Sequence, residues 1–210
     1  MPAAPGTPEY AANLALGHLG VPELASLDDQ TTRARNVRRF FASTRDALLR
    51  RKDWNFASSW FTPTRDTVDS LGHFKGRYPM PSDCIAVREL KGCENSAWAL
   101  ESGQVTVAGA GVTATVLVTN QISPIVRYTR RIENVALWDA LFVEAFGYFH
   151  AADLATALGK SKSMAAEMRG IGEDKVPLAA KVDSKEQSKA HRRPPTSWEL
   201  ARHRPSRYRR

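Results

Sequence analysis

The sequence predicts an α+β fold, a helical bundle carrying a small antiparallel sheet. Two observations point there. Segments with helical apolar spacing lie at both ends of the chain, and between them run short alternating stretches rich in β-branched residues. The chain has 210 residues, which suits one domain of residues 1–190 with an appended arm, 191–210. Hydrophobic residues at 42% and charged residues at 25% exclude a largely disordered chain. No stretch approaches the ~18 consecutive apolar residues of a membrane helix. The Pro/Ala-rich start has neither the basic nor the apolar region of a signal peptide.

The first helix is expected over 8–20, with Thr7 as cap, Pro8 at an early helical position, and Gly17 and Gly20 ending it. Asp28 or Asp29 can cap a second helix over 30–53. There Ala34, Val37, Phe40, Phe41, Thr44, Ala47 and Leu48 share one arc, and Arg35, Arg38, Arg39, Arg45 and Arg50 the opposite one. Residues 62–82 read as loop. The sheet follows within 78–131, as runs at 84–90, 96–101, 104–109, 112–118 and 125–131, with Ser102-Gly103 and Gly109-Ala110-Gly111 as hairpin turns.

A third helix, 134–159, is apolar nearly all round. Asn134 is its expected cap and Gly159 its stop. Such a helix is either central to the core or pressed against another subunit. A fourth, 161–190, is polar. Gly170 and Gly172 weaken it, and Pro177 is expected to break or kink it. In the arm, Pro194-Pro195 stiffens the start, Thr196 and Glu199 have capping-box spacing, and Trp198 is the one large apolar group.

The net charge of +8 (pI about 9.8) is concentrated. Residues 33–52 hold Arg33, Arg35, Arg38, Arg39, Arg45, Arg50, Arg51 and Lys52 against Asp46 alone. Residues 189–210 hold Lys189, Arg192, Arg193, Arg202, Arg204, Arg207, Arg209 and Arg210 against Glu199 alone. The remainder is net acidic. The helical block reads as a solvated face, or as a surface for DNA or for an acidic neighbouring subunit.

No catalytic motif stands out, no cofactor or metal site is expected, and the chain does not read as an enzyme. Cys84 in a strand and Cys93 in a turn read as a small hydrophobe and a surface thiol. Gly170-Ile171-Gly172 follows a helix, the wrong context for a dinucleotide loop. Of the scattered His18, His73, His150, His191 and His203, His150 reads as a hydrogen-bonded core histidine. Asp139, Glu144 and Asp153 could be imagined as a glycosidase pair, but subunit salt bridges are the simpler reading.

The order of motifs resembles the tail tubular protein A family, head-to-tail adaptors of tailed, chiefly short-tailed, bacteriophages. The matching elements are Leu19-Gly20, the Ser26-Leu27-Asp28 segment, and Arg45-Asp46 with Trp54-Asn55-Phe56-Ala57. Tyr78, Pro81, Asp83 and Cys84 follow, then Tyr128-Thr129-Arg130, then the central helix around Trp138 and Leu141. The likeness covers roughly 8–165. It implies a virion structural protein of the tail or neck, assembled in the host bacterial cytoplasm. Twelve copies would form a ring beneath the portal, extend the DNA channel and receive the next tail component, nozzle or tail tube. Relatives continue a regular helix beyond about 165, which Gly170, Gly172 and Pro177 interrupt here.

On that resemblance the arm is expected to dock on the portal through Trp198, Leu200, Arg202, Arg204, Arg207, Tyr208, Arg209 and Arg210. Arginine suits bidentate pairing with carboxylates. Arg35, Arg38, Arg39, Arg45, Trp138 and Phe142 are expected at the subunit interface. Packaged DNA would pass through the channel, and no membrane partner is expected. Two other readings stay open: a nucleic-acid-binding protein using both basic blocks, and a peptidoglycan-degrading virion enzyme.

Overall fold

A computed structural model describes residues 3–67, 72–91, 97–107 and 110–186. Among these residues there are four α-helices and two three-stranded antiparallel sheets, the α+β class read from the sequence. The order is α1 (Pro8–His18), α2 (Thr32–Arg51), β1 (Ser58–Phe61), β2 (Gly76–Pro79), β3 (Cys84–Leu90), β4 (Trp98–Val107), β5 (Ala110–Thr119), β6 (Val126–Arg130), α3 (Ala140–Ala157) and α4 (Lys162–Glu186). Short 3-10 turns at Asn55–Ala57 and Val135–Leu137 precede β1 and α3.

The helices start and stop for identifiable reasons. Thr7 Oγ1 accepts from Tyr10 N at 3.2 Å, with Pro8 at the first helical position. The cap of α2 is Thr31, whose Oγ1 accepts from Ala34 N at 3.1 Å, not Asp28 or Asp29. Asn134 caps only the 3-10 turn, donated to by Ala136 N at 3.0 Å. Trp138 is extended, and α3 begins after Asp139, whose Oδ1 accepts from Leu141 N and Phe142 N at 2.9 and 3.2 Å. The expected single helix 134–159 is thus a turn, a break and a helix. Its stop is as expected, Gly159 at φ +72°.

Helix α3 is the axis of the bundle and packs on α1, α2 and α4. Ala145, Gly147, Ala151, Ala152 and Ala155 keep its surface low, so neighbours approach closely. A Cβ on Gly147 would lie 3.4 Å from Leu14 Cβ.

The expected break in the fourth helix does not occur. α4 runs unbroken through Pro177 to Glu186. Met168, Gly172, Val176, Ala179 and Asp183 form one buried stripe, and that packing outweighs the ~3 kcal/mol of an interior proline. Gly172 is itself a packing residue: a Cβ there would meet the Phe149 ring at 3.0–3.3 Å.

The β-region is two sheets rather than one, ordered β1-β6-β3 and β2-β5-β4. The expected strands 96–101 and 104–109 are one strand, β4, so Ser102-Gly103 is not a turn. Gly103 instead leaves room for Arg77, whose Nη2 donates to Gln104 O at 3.1 Å. The β4–β5 register ends at Val107 opposite Ala110; Gly109 of the expected second turn lies outside the described residues. The segment 62–82 is not all loop: β2 lies inside it and pairs with β5 at a sheet edge, where Pro79 is tolerated, while β1 ends just before it. The sheets face one another across Tyr78, Met80 and Leu117 of one and Leu90, Val126 and Tyr128 of the other.

Candidate interface surfaces

Trp138 and Phe142 belong to the subunit's own core, with only an edge of Trp138 reaching the surface. Trp138 is 7% exposed and Phe142 not at all. Both join Trp54, Phe146 and Phe149 in the subunit's own core, with ring centroids about 5 Å apart at Trp138–Phe142 and Trp54–Phe142. The all-round apolar character of α3 is met by three helices of its own chain.

Most of the helical basic block also works internally. Arg45 is buried, with Nε 2.8 Å from Asp46 Oδ1 and Nη2 3.8 Å from Glu133. Asp46 Oδ2 in turn accepts from Arg131 Nε at 2.9 Å. Arg38 donates to the carbonyls of Leu27 and Asp29 and straps the loop before α2. Arg33 holds the Pro22 carbonyl. Arg50 reaches Ile85 O at 2.7 Å. Arg51 pairs with Glu173 at 2.5 Å and lies over the Phe149 ring at 4.5 Å, tying α2 to α4. Of the expected interface arginines, Arg35 and Arg39 are the exposed ones; Arg35 makes only a 3.3 Å bond to Thr32, and Arg39 has no partner among the described residues.

Arg88 was not singled out by the sequence. Its Nη2 donates to the carbonyls of Leu49, Arg50 and Lys52 at 3.2, 3.1 and 2.6 Å, and its Nε to buried Thr129 at 2.7 Å. A guanidinium from β3 therefore caps the last turn of α2, where carbonyls lack helical partners. Burial lowers its pKa, with nearby Asp53 opposing. Nothing in the local pattern of β3 marks this residue; only the tertiary fold brings it to the helix end.

The carboxylates of α3 are engaged separately rather than paired. Asp139 caps the helix. Glu144 meets Lys175 at 2.7 Å. Asp153 accepts from Thr44 and Arg169, each at 2.6 Å. The last two hold α3 to its neighbours within the subunit. Asp183 of α4 accepts from Asn55 N at 2.9 Å, and Asn55 Nδ2 donates to the Asp183 carbonyl. Burial raises the Asp183 pKa.

His150 is in the core, as expected, but it is not hydrogen-bonded. It is wholly buried with neither ring nitrogen partnered, stacked on Phe146 with centroids 5.2 Å apart and edge-on to Phe41 at 5.6 Å. Burial pushes its pKa down to about 3. Cys84 is half-buried, and burial pushes its thiol up to about 11. Cys93, His191 and His203 lie outside the described residues, as do all the arm residues: Trp198, Leu200, Arg202, Arg204, Arg207, Tyr208, Arg209 and Arg210. Among the described residues, no group of three or more His, Cys, Asp or Glu could hold a metal ion, and no helix is long and apolar enough to cross a membrane.

Two kinds of surface remain open. One is scattered apolar exposure: Trp60, Trp98, Leu100, Ile122 and Ile125 around the sheets, and Leu178 and Val182 one turn apart on α4. The other is a groove of about 660 Å³ between α1, the 3-10 turn at Val135–Leu137 and the start of α3. Leu14, Val135, Trp138 and Val143 make its apolar walls, and Tyr10, His18 and Glu144 its polar points. His18 stacks on Tyr148 with centroids 4.0 Å apart, and burial lowers its pKa against the raising field of Glu144.

No protein-family model matches the chain, and no curated protein matches it.

Proposed function

We propose that the chain is a head-to-tail adaptor of a tailed bacteriophage, a virion protein that forms a ring beneath the portal and joins the capsid to the tail. The observation that carries this reading is where the family-like motifs fall. Those at Arg45-Asp46, Trp54-Asn55, Asp83 and Tyr128–Arg130 gather where the bundle meets the sheets. Trp54 is buried and donates to Leu48 O at 3.1 Å. Asn55 holds Asp183 of α4. Arg45, Asp46 and Arg131 link α2 to the end of β6. Asp83 accepts from Arg131 N at 2.7 Å and faces Tyr128 and Arg130. Motifs distant in sequence thus have one shared task, setting the angle of the sheets on the helices. A ring subunit needs that angle held rigidly, because any error repeats at every interface.

In this reading Arg35 and Arg39 face a neighbouring subunit, the arm from 191 grips the portal, and the exposed apolar residues around the sheets receive the next tail component. The DNA-binding alternative loses most of its first basic block, because Arg33, Arg38, Arg45, Arg50 and Arg51 already hold groups of their own chain. The test is electron cryo-microscopy of the full chain mixed with the portal protein of the same genome. A closed ring of this chain seated on the portal is the expected class average. Free portal with unbound monomer at micromolar concentrations overturns the proposal.

A further inference from the structure

The groove between α1 and the start of α3 is open, apolar and close to the end of α4. From the groove side, Glu144 Oε1 meets Lys175 Nζ of α4 at 2.7 Å. From Lys175 the helix carries the chain a further eleven residues to Glu186, about 16 Å at 1.5 Å per residue. It does so antiparallel to α3 and toward its first turn, where Asp183 feels the charge of Asp139. Trp198 lies twelve residues beyond Glu186, a reach of about 40 Å when extended. The chain leaving α4 therefore has more than enough length to double back to the groove.

The chemistry also matches. Residues 187–210 contain one large apolar cluster, Trp198 with Leu200, followed by arginines. The groove offers apolar walls for an indole, and the Tyr10 hydroxyl and the Glu144 carboxylate as acceptors for its N–H. Glu144, which lines the groove, is the carboxylate that a guanidinium following the indole would meet there.

We infer that this groove is the docking site of the chain's own C-terminal segment, with Trp198 seated between Leu14 and Val143 and Arg202 beside Glu144. The contact is intramolecular and does not depend on the ring reading. If both hold, the portal competes with the groove for the same indole.

Disulfide trapping in the full chain tests the inference. The exposed groove residue Ala140 and Ser197 become cysteines in a Cys93→Ser background; the Cys84 thiol is held unreactive by burial. A control pairs Ser197→Cys with Gln104→Cys on exposed β4. At low protein concentration, the Ala140→Cys pair should close as an intramolecular bridge roughly tenfold faster than the control. Adding Trp198→Ala, which changes no residue of the groove, should remove that advantage. Equal rates for the two pairs, or an advantage that survives Trp198→Ala, overturn the inference. Bridging only between molecules, rising with concentration, also overturns it and identifies a second copy as the occupant.

Discussion

His150→Leu should stabilise the protein and make it less sensitive to acid. The wild-type imidazole is wholly buried against Phe41 and Phe146 with both nitrogens unpartnered, and desolvation alone lowers its pKa to about 3. In the unfolded chain the group titrates near 6.5. Between those values the unfolded state binds a proton that the folded state refuses. The folded pKa is depressed, so this residue's contribution is intact above 6.5 and is lost as pH falls from 6.5 toward 3. With about 1.4 kcal/mol per pKa unit, the loss is about 2 kcal/mol between pH 7 and pH 5, and ~4 kcal/mol by pH 3. Leucine has a similar volume and no polar atoms, so at pH 7 the variant should also gain ~1 kcal/mol by removing unmet hydrogen-bonding groups.

The assay is urea unfolding of both proteins at pH 7 and pH 5, with free energies from linear extrapolation. Other groups titrate over the same range, but they are common to both proteins and leave the difference unaffected. The expected result is a stability gap that widens by about 2 kcal/mol at pH 5. A gap equal at both pH values refutes the reasoning, because the imidazole would then have a partner or water that keeps its folded pKa ordinary.

Three further outcomes follow from particular contacts. Gly172→Ala should cost ~1–3 kcal/mol by pressing a Cβ onto Phe149, whereas Gly170→Ala, with nothing within 4 Å, should gain up to ~1 kcal/mol; thermal melts of the two variants check the contrast. Arg88→Met should cost ~2 kcal/mol by uncapping α2, with Arg88→Lys recovering only part because one ammonium cannot serve three carbonyls and Thr129 in the guanidinium's fork geometry; chemical unfolding reads both. Arg45→Ala should lose ~1–3 kcal/mol as Asp46 loses its buried partner and keeps only the half-exposed Arg131, while Arg39→Glu should leave stability within ~0.5 kcal/mol; under the ring reading, Arg39→Glu should still weaken assembly on the portal, seen by sedimentation.

The α+β class, the four helices and the third helix's stop at Gly159 were legible because each rests on local signals: apolar period, cap residue, glycine at positive φ. The failures share a different cause. Ser102-Gly103 has turn composition, but its neighbours pair continuously with β5 and the glycine serves Arg77 from two strands away. Pro177 and Gly172 weaken an isolated helix, yet packing on α3 decides, and Gly172 is needed for it. The segment 134–159 looked too apolar for one core, with Trp138 and Phe142 assigned to an interface, because the three helices that cover α3 cannot be counted from its own pattern. The groove was invisible for the same reason: Leu14 and Val143 are 129 residues apart in the chain.

The distribution of charge acquires a different meaning once the contacts are known. A helical arginine face looks available in sequence because charge is read one residue at a time. In the fold, Arg33, Arg38 and Arg50 are held by main-chain carbonyls, and Arg45 and Arg51 by carboxylates. Their charges still sum into the net +8, but moving any of them to an outside partner would give up a contact within the body, worth ~0–1 kcal/mol where it is exposed and more at buried Arg45. No such penalty is visible for Arg39. The positive charge of this helix that is free to choose a partner is therefore smaller than the composition suggests, and the other concentrated block lies in the arm, within 189–210. Whatever this protein grips by charge, it should grip chiefly by that arm. The salt dependence of its binding should accordingly fall sharply when 191–210 is removed, and hardly at all when Arg38 or Arg50 is replaced.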